Sequence, residues 1–347
     1  MRKFTPGSLA FVTVLMLSLV LLAACGGQPK SEGPKAEGPK SEAPKSEAPK
    51  SAEKLKLQMG TEPWIGYGPW WIAEAKGLFA KHGLDVQLVA FTTDADLDAA
   101  LAANRIQAGN IATHTAIKLI QNNKTDMKLI LFMDQSMKAD AVIAKGVSSL
   151  KDLKGKQVAF EEGTTSDLLL RYGLKQNGLT IKDIQPVPMP AADAGSAVIS
   201  GAVPVAVTYE PYITNALRGR QGVNLIYSGQ DAPGLISDFT VIRSDFLKRN
   251  PAVSKELAAV WQEALDYWQA NKNEGNKIVG KAVGLKPEEL PPILDGVKLF
   301  TIDQNQAMVK DGSLYKAFKD IGQVLIDQAA VKDVPKPEDV IDFSKQK

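Results

Sequence analysis

Leu55, Leu57 and Met59 fall on every second residue, and shortly afterwards the period changes. Pro69 to His82 spaces Trp71, Ile72, Ala75, Leu78 and Phe79 as on one face of a helix that Gly83 ends. This switch between a period of two and a period of 3.6 recurs along the chain, and it restricts the fold to alternating strand and helix layers with parallel α/β organisation. Leu84 to Phe91 reads as a strand before a helix at Ala95 to Ala103; Ile106 to Ala112 reads as a strand feeding a helix that starts near Thr113. Met127 to Met133 and Ala139 to Lys145 are both strand-like. The pattern then restarts with a strand at Gln157 to Phe160, a loop at 161–163 and a helix opening at Thr164-Thr165-Ser166. Further pairs follow at Ile184 to Val187 with Ala191 to Ser200, and at Val203 to Thr208 with Pro211 to Arg218. Phe239 to Ile242 returns as a strand, after which the chain is nearly all helix, including the amphipathic run Ala252 to Asn271. Two α/β lobes fit this layout: 55–144 with 237–347 form the first, and 145–236, inserted into it, form the second.

The preceding residues cannot join that core. Pro29, Pro34, Pro39, Pro44 and Pro49 recur at a five-residue period among alternating Lys and Glu, a composition that blocks helix and sheet and stays solvated, so 25–54 reads as an extended tether. Arg2 and Lys3 followed by the apolar stretch Ser8 to Ala24 form an export signal, 1–24, too short and wrongly flanked for a membrane span. Leu22-Ala23-Ala24-Cys25 resembles a bacterial lipobox, which implies cleavage before Cys25 and its lipidation. The resulting anchor holds the protein on the membrane on its extracytoplasmic side, in a periplasm or on the outer cell surface. Cys25 is the only cysteine, so no disulfide is available. Without the eight basic and five acidic residues of 1–54, 33 Lys and Arg remain against 34 Asp and Glu. The folded part is thus close to neutral and carries no argument for nucleic acid.

Several motifs carry a family resemblance across nearly all of 55–347: Trp64-Ile65-Gly66-Tyr67-Gly68-Pro69, residues 73–79 with Gly83-Leu84, residues 152–156, Tyr209-Glu210-Pro211-Tyr212, and 231–238. Their order and spacing resemble the solute-binding proteins of ABC importers in the nitrate/sulfonate/taurine group. Residues 231–238 and 283–289 are similar more narrowly to the branch associated with urea-carboxylase and guanidine uptake. The resemblance implies a periplasmic-binding-protein type II fold, in which two doubly wound lobes joined by two crossover strands close over a small molecule and deliver it to a permease and its ATPase. Ala141 to Lys145 and Phe239 to Arg243 are the expected crossings. It also implies no cofactor and no catalysis, and a monomer is expected.

Ligand should meet strand carboxyl ends and helix N-termini, where backbone groups are unsatisfied and convergent. Trp64 and Tyr67 lie after the first strand, with Gly66 and Gly68 allowing close approach, and can stack on a planar group or face a cation; Trp71 is assigned to the core. Thr113 and His114 open one helix, Thr164 and Thr165 another; these hydroxyls serve a ligand or simply cap their helices. Asp134, Asp140, Glu161, Glu210 and Asp238 occupy loop positions expected to converge, although Glu161 and Glu210 can also be helix caps and Asp140 and Asp238 hinge braces. His82 reads as a surface residue, and two isolated histidines without an available cysteine argue against zinc.

Broad family likeness implies a sulfonate, taurine or nitrate. The narrower likeness, with the acidic positions, points to a nitrogen-rich cation or neutral compound such as guanidine, urea or an amine. Other classes stay in view. Fungal thiamine-pyrimidine synthases share the implied fold but use a histidine set and a cysteine-rich motif absent here. No Gly-x-Ser-x-Gly elbow or phosphate-binding Gly-rich loop supports a hydrolase. An adhesion or scaffolding lipoprotein is the third alternative.

Overall fold

A computed structural model describes residues 54–218 and 222–346. The export signal, Cys25 and the proline repeat lie outside them. Eleven strands form two mixed sheets among the described residues: β1 Leu55–Thr61, β2 Leu84–Ala90, β3 Ala108–Ala112, β4 Met127–Ser136, β5 Asp140–Lys145, β6 Gln157–Phe160, β7 Gln185–Pro188, β8 Val205–Tyr209, β9 Val223–Ser228, β10 Ser237–Arg243 and β11 Val297–Leu299. The first sheet runs β11-β4-β10-β3-β1-β2 and the second β7-β6-β8-β5-β9. Within them β1 pairs in parallel with β2 and β3, and β6 with β7 and β8. The α/β alternation therefore yields parallel neighbours, as the period changes predict. Each sheet also takes an antiparallel strand in its interior, β10 between β3 and β4 and β5 between β8 and β9, and β11 adds a second at the edge of the first sheet.

The crossings differ from expectation. β5 pairs only within the second sheet and β10 only within the first, so neither Ala141 to Lys145 nor Phe239 to Arg243 is itself a crossing. The chain leaves the first sheet after Ser136, not after Ala144, and returns through the segment between β9 and β10. The two passages touch. Ser136 N–H donates to the Ile236 carbonyl at 3.1 Å, and a Cβ on Gly229 would stand 2.6 Å from the Ser136 carbonyl oxygen, a separation only glycine permits.

Other differences are local. The helical pattern of 69–82 is two helices, Gly68–Ala75 and Leu78–Lys81, because Gly77 at φ 68° turns the chain left-handed between them. β9 and β11, short strands without strong alternation, go unread in the sequence. Trp70, fully buried, is the core tryptophan, packed on Trp261 at 5.1 Å and stacked with Phe79 at 5.9 Å, whereas Trp71 is only half-buried. His82 is half-buried between Glu256 and Glu263, at 3.3 and 3.0 Å, rather than on the open surface.

The helix Val253–Ala270 buries Leu257, Trp261, Leu265 and Trp268, a stripe at helical spacing, against the first sheet, and Trp261 Nε1 donates to the Phe300 carbonyl at 2.9 Å. Where the β4–β10 register shifts, the backbone of Phe132 is met by a side chain. Asn305, fully buried, accepts from Phe132 N–H and donates to its carbonyl, both at 2.8 Å. That amide supplies what a strand neighbour would, and keeps the shift affordable in a core built on Phe132, Phe239 and Phe300.

Candidate functional site

A cleft with about 530 Å³ of open space lies where strand ends of both sheets face each other. From the first sheet come Glu62, Trp64 and Tyr67 past the end of β1, Asn110, Ile111 and Ala112 of β3, and Asp238 of β10. The second contributes Asp140 at the start of β5 and Tyr209 at the end of β8, with Thr165 and Ser166 from the first turn of the helix Thr165–Gln176. Asp94 and Asp98 complete the wall from the helix Asp94–Ala102. That helix is capped by Thr93, whose Oγ1 accepts from Asp96 N–H at 3.2 Å, and it buries Leu97, Ala100 and Leu101 beneath. Asp94 and Asp98, one turn apart, share its cleft side, and the helix N-terminus favours the acid at 94. Trp64 and Tyr209 meet edge to face across the cleft, with ring centroids at 6.1 Å and an interplanar angle of 77°.

The lining contains five carboxyls and no Lys or Arg. Burial is the main reason their proton affinities rise. Asp140 is pushed up to about 8, and Asp98 to about 8 with help from Asp94 and against the pull of Lys118. Glu62 is raised well above the carboxylate range by burial and by Asp94, to which its side chain hydrogen-bonds. Asp238 and Asp134 are register partners on β10 and β4, so their side chains meet on one face. Burial raises Asp238 well above its ordinary value, with the Asp134 charge adding to it, and burial raises Asp134 to about 7. Tyr67 Oη donates to Asp238 Oδ1 at 3.3 Å, and Trp64 Nε1 donates to Asp134 Oδ1 at 3.1 Å.

Of the residues singled out in the sequence, Trp64, Tyr67, Asp140, Thr165 and Asp238 line the cleft; the other six do not. Asp134, wholly buried, stands behind Trp64. Thr113 Oγ1 is bonded to Ser237, at 2.9 Å to its carbonyl and 2.8 Å to its hydroxyl. His114 is buried and hydrogen-bonded to the Thr164 backbone; burial, then Lys118, lowers its pKa to about 3, so it is neutral. Thr164 Oγ1 turns to the Glu161 carbonyl at 2.9 Å. Glu161 accepts from Ala191 N–H at 3.1 Å, the start of the helix Ala191–Ser200. Glu210 accepts from Thr214 N–H and Oγ1 at 3.0 and 2.9 Å, closing the first turn of the helix Tyr212–Arg218. Capping is thus the geometry of both glutamates. Sequence reasoning missed Glu62, Asp94, Asp98, Asn110, Thr115 and Tyr209. Glu62 sits in the same loop as Trp64 and was findable by the same rule, whereas two acids on an exposed-looking helix start read as an ordinary solvated face.

Outside the cleft, the two sheet-bearing halves touch through polar contacts. Lys118 Nζ donates to the Gly163 carbonyl, Arg218 pairs with Glu289, and Lys175 pairs with Asp327 at 2.8 Å. The two ion pairs are partly exposed and screened by water, so each is weak, whereas Lys118 is half-buried and residues of both halves share one buried apolar cluster.

A family model described as NMT1-like matches residues 50–283. A binding protein of Brucella abortus is 28% identical over 274 residues, covering 77% of this chain and 84% of that one. The taurine-binding periplasmic protein of Escherichia coli is 27% identical over 275 residues, covering 76% and 84%. In structure, the periplasmic aliphatic sulphonate binding protein SsuA of Escherichia coli superposes with a TM-score of 0.68 at 21% identity, over 83% of this chain and 97% of that one. At that identity the likeness speaks for the two-sheet periplasmic-binding-protein fold.

Proposed function

The chain belongs to the NMT1-like family, and from that premise we propose that it is the extracytoplasmic solute-binding component of an ABC importer, whose ligand is a small organic cation. The single observation that carries the ligand class is the lining of the cleft: five carboxyls, one of them, Asp238, accepting from the Tyr67 hydroxyl, and no basic side chain. An anion brought there meets uncompensated negative charge, or carboxyls that stay protonated at a cost. A cation meets its counter-charge, with Trp64 and Tyr67 offering ring faces. The names of the sulfonate- and taurine-binding relatives favour the opposite choice, but an anion site needs donors that this lining supplies only as hydroxyls, amides and phenols.

The mechanism follows from the two sheets. The halves carrying them act as lobes, joined at the paired passages around Ser136 and Gly229. Ligand that touches both sides of the cleft adds contacts that only the closed form makes, and so shifts the population towards it. The closed form is what the permease, with its ATPase, accepts. Cys25, lipidated, ties the protein to the membrane through the proline-rich tether; among the described residues no helix is long and apolar enough to cross it.

Two measurements test this reading. Guanidinium and small alkylammonium salts should raise the thermal midpoint and reduce the radius of gyration in solution scattering, while taurine, ethanesulfonate and nitrate should do neither; stabilisation by the anions alone would overturn the ligand class. Metabolic fatty-acid labelling should vanish in Cys25→Ser, and its survival would remove the anchor from the scheme.

A further inference from the structure

Resting on the reading of the cleft as a cation site, we propose that its ligand carries two cationic groups, one for each of two carboxyl clusters, joined by a short apolar stem. The carboxyls of the cleft fall on separate elements. Asp238 on β10 faces its register partner Asp134 on β4, with Asp140 at the start of β5 beside them. Glu62, past the end of β1, hydrogen-bonds Asp94, and Asp98 follows one turn along the same helix. Only β3 separates β10 from β1, so the two clusters stand about two strand spacings apart, roughly 10 Å. The floor between them is β3, where Ile111 and Ala112 offer a surface for methylenes beside the neutral amide of Asn110. The clusters nevertheless share one space: the charge of Asp94 is felt at both Asp238 and Asp140.

Each cluster sets carboxyls side by side, Asp238 against its register partner Asp134 and Glu62 against Asp94, and a cationic N–H donor placed between such a pair meets acceptors on both sides. Behind Trp64, the Oδ2 of Asp134 is fully buried with no hydrogen-bond partner, so the Asp238 end of the cleft holds an acceptor that the protein itself leaves unmet. Lys118 is felt at Asp98, but its ammonium donates to the Gly163 carbonyl and does not line the cleft. A ligand with one positive group satisfies one cluster and leaves the other without counter-charge; a ligand with two satisfies both. Among the described residues no group of three His, Cys, Asp or Glu is placed to hold a metal ion.

The test is calorimetric titration of the full chain with α,ω-diamines from ethylenediamine to hexamethylenediamine, with n-alkylamines of matching length, guanidinium and taurine as comparators. The expected result is a chain-length optimum at which the diamine binds roughly a hundredfold tighter than the matching monoamine. Glu62→Gln and Asp238→Asn, each checked for folding by circular dichroism, should each cut that advantage to less than tenfold. Monoamine or guanidinium binding as tight as the best diamine overturns the two-group inference and leaves the cation site standing. Absence of any length-dependent diamine binding also overturns it, and binding confined to taurine overturns both readings.

Discussion

Asp140 offers a direct measure of how strongly this cleft resents its own charge. Its carboxyl opens β5 inside the cleft, 7% exposed, and burial raises its pKa from 3.8 to about 8. The folded protein therefore binds a proton more tightly than the unfolded chain does. Between the two values the folded state holds more protons, so this group makes stability fall as pH rises from about 4 to about 8. At about 1.4 kcal/mol per pKa unit, the ceiling on that loss is about 6 kcal/mol. Asp140→Asn keeps the shape and removes the titration. Urea unfolding of the unliganded protein should show parent and variant nearly equal at pH 4.5. By pH 8.5 the variant should be ahead by several kcal/mol, with an unchanged denaturant dependence. Asp238 and Glu210, themselves raised by burial, still titrate in the variant, so it retains part of the slope. Parallel stability curves for the two proteins from pH 4.5 to 8.5 would mean that water already solvates this carboxylate, and the argument for an unmet negative charge in the cleft would fail.

Gly66→Ala places a methyl 2.3 Å from Trp64 Nε1 and 2.4 Å from Asp134 Oδ2; the Trp64–Asp134 bond should break, with a loss of roughly 1–3 kcal/mol in urea unfolding and weaker ligand binding by calorimetry. Asn305→Leu strands both backbone groups of Phe132 in the core and should cost roughly 2–4 kcal/mol, read as a lowered thermal midpoint, with cleft residues untouched. Arg218→Ala removes the pairing with Glu289 across the halves and should increase the radius of gyration of the unliganded protein in solution scattering, ligand restoring the compact form; an unchanged radius would mean that contact does not hold the halves together.

Some of this architecture is written plainly in the residues. Gln157 to Phe160 and Ala191 to Ser200 are read from sequence with the bounds they have in the structure, because a short apolar strand between a Gly-Lys turn and a Gly-containing loop, and an Ala-rich helix between Pro190 and Gly201, carry both their period and their punctuation. Where a connection passes from one sheet to the other, local signals fail. Nothing around Ala139 distinguishes a strand that continues in its own sheet from one that joins another, since that choice depends on Val205–Tyr209 and Val223–Ser228 far along the chain. The cleft shows the same division. The rule that strand ends face the ligand locates Trp64, Tyr67 and Asp238. It cannot say which way a side chain turns from a strand end, and Glu161 and Glu210, both immediately after a strand, turn to helix N–H groups instead. Conversely, Asp94 and Asp98 belong to the cleft only because the helix carrying them lies over the ends of β1 and β3, which is a tertiary fact.

The insertion of β10 between β3 and β4 has a bearing on the order in which the molecule can assemble. Every strand of the second sheet lies between residues 140 and 228, a contiguous stretch whose pairings close comparatively short loops. The first sheet has a gap at its centre until residues 237–243 are available, and closing it joins segments more than a hundred residues apart. Because loop-closure entropy and contact order both weigh against such distant pairings, the inserted half is the natural nucleus. A chain shortened before Ser237 would retain a complete second sheet while β3 and β4 each exposed an unpaired apolar edge, the kind of surface that invites aggregation.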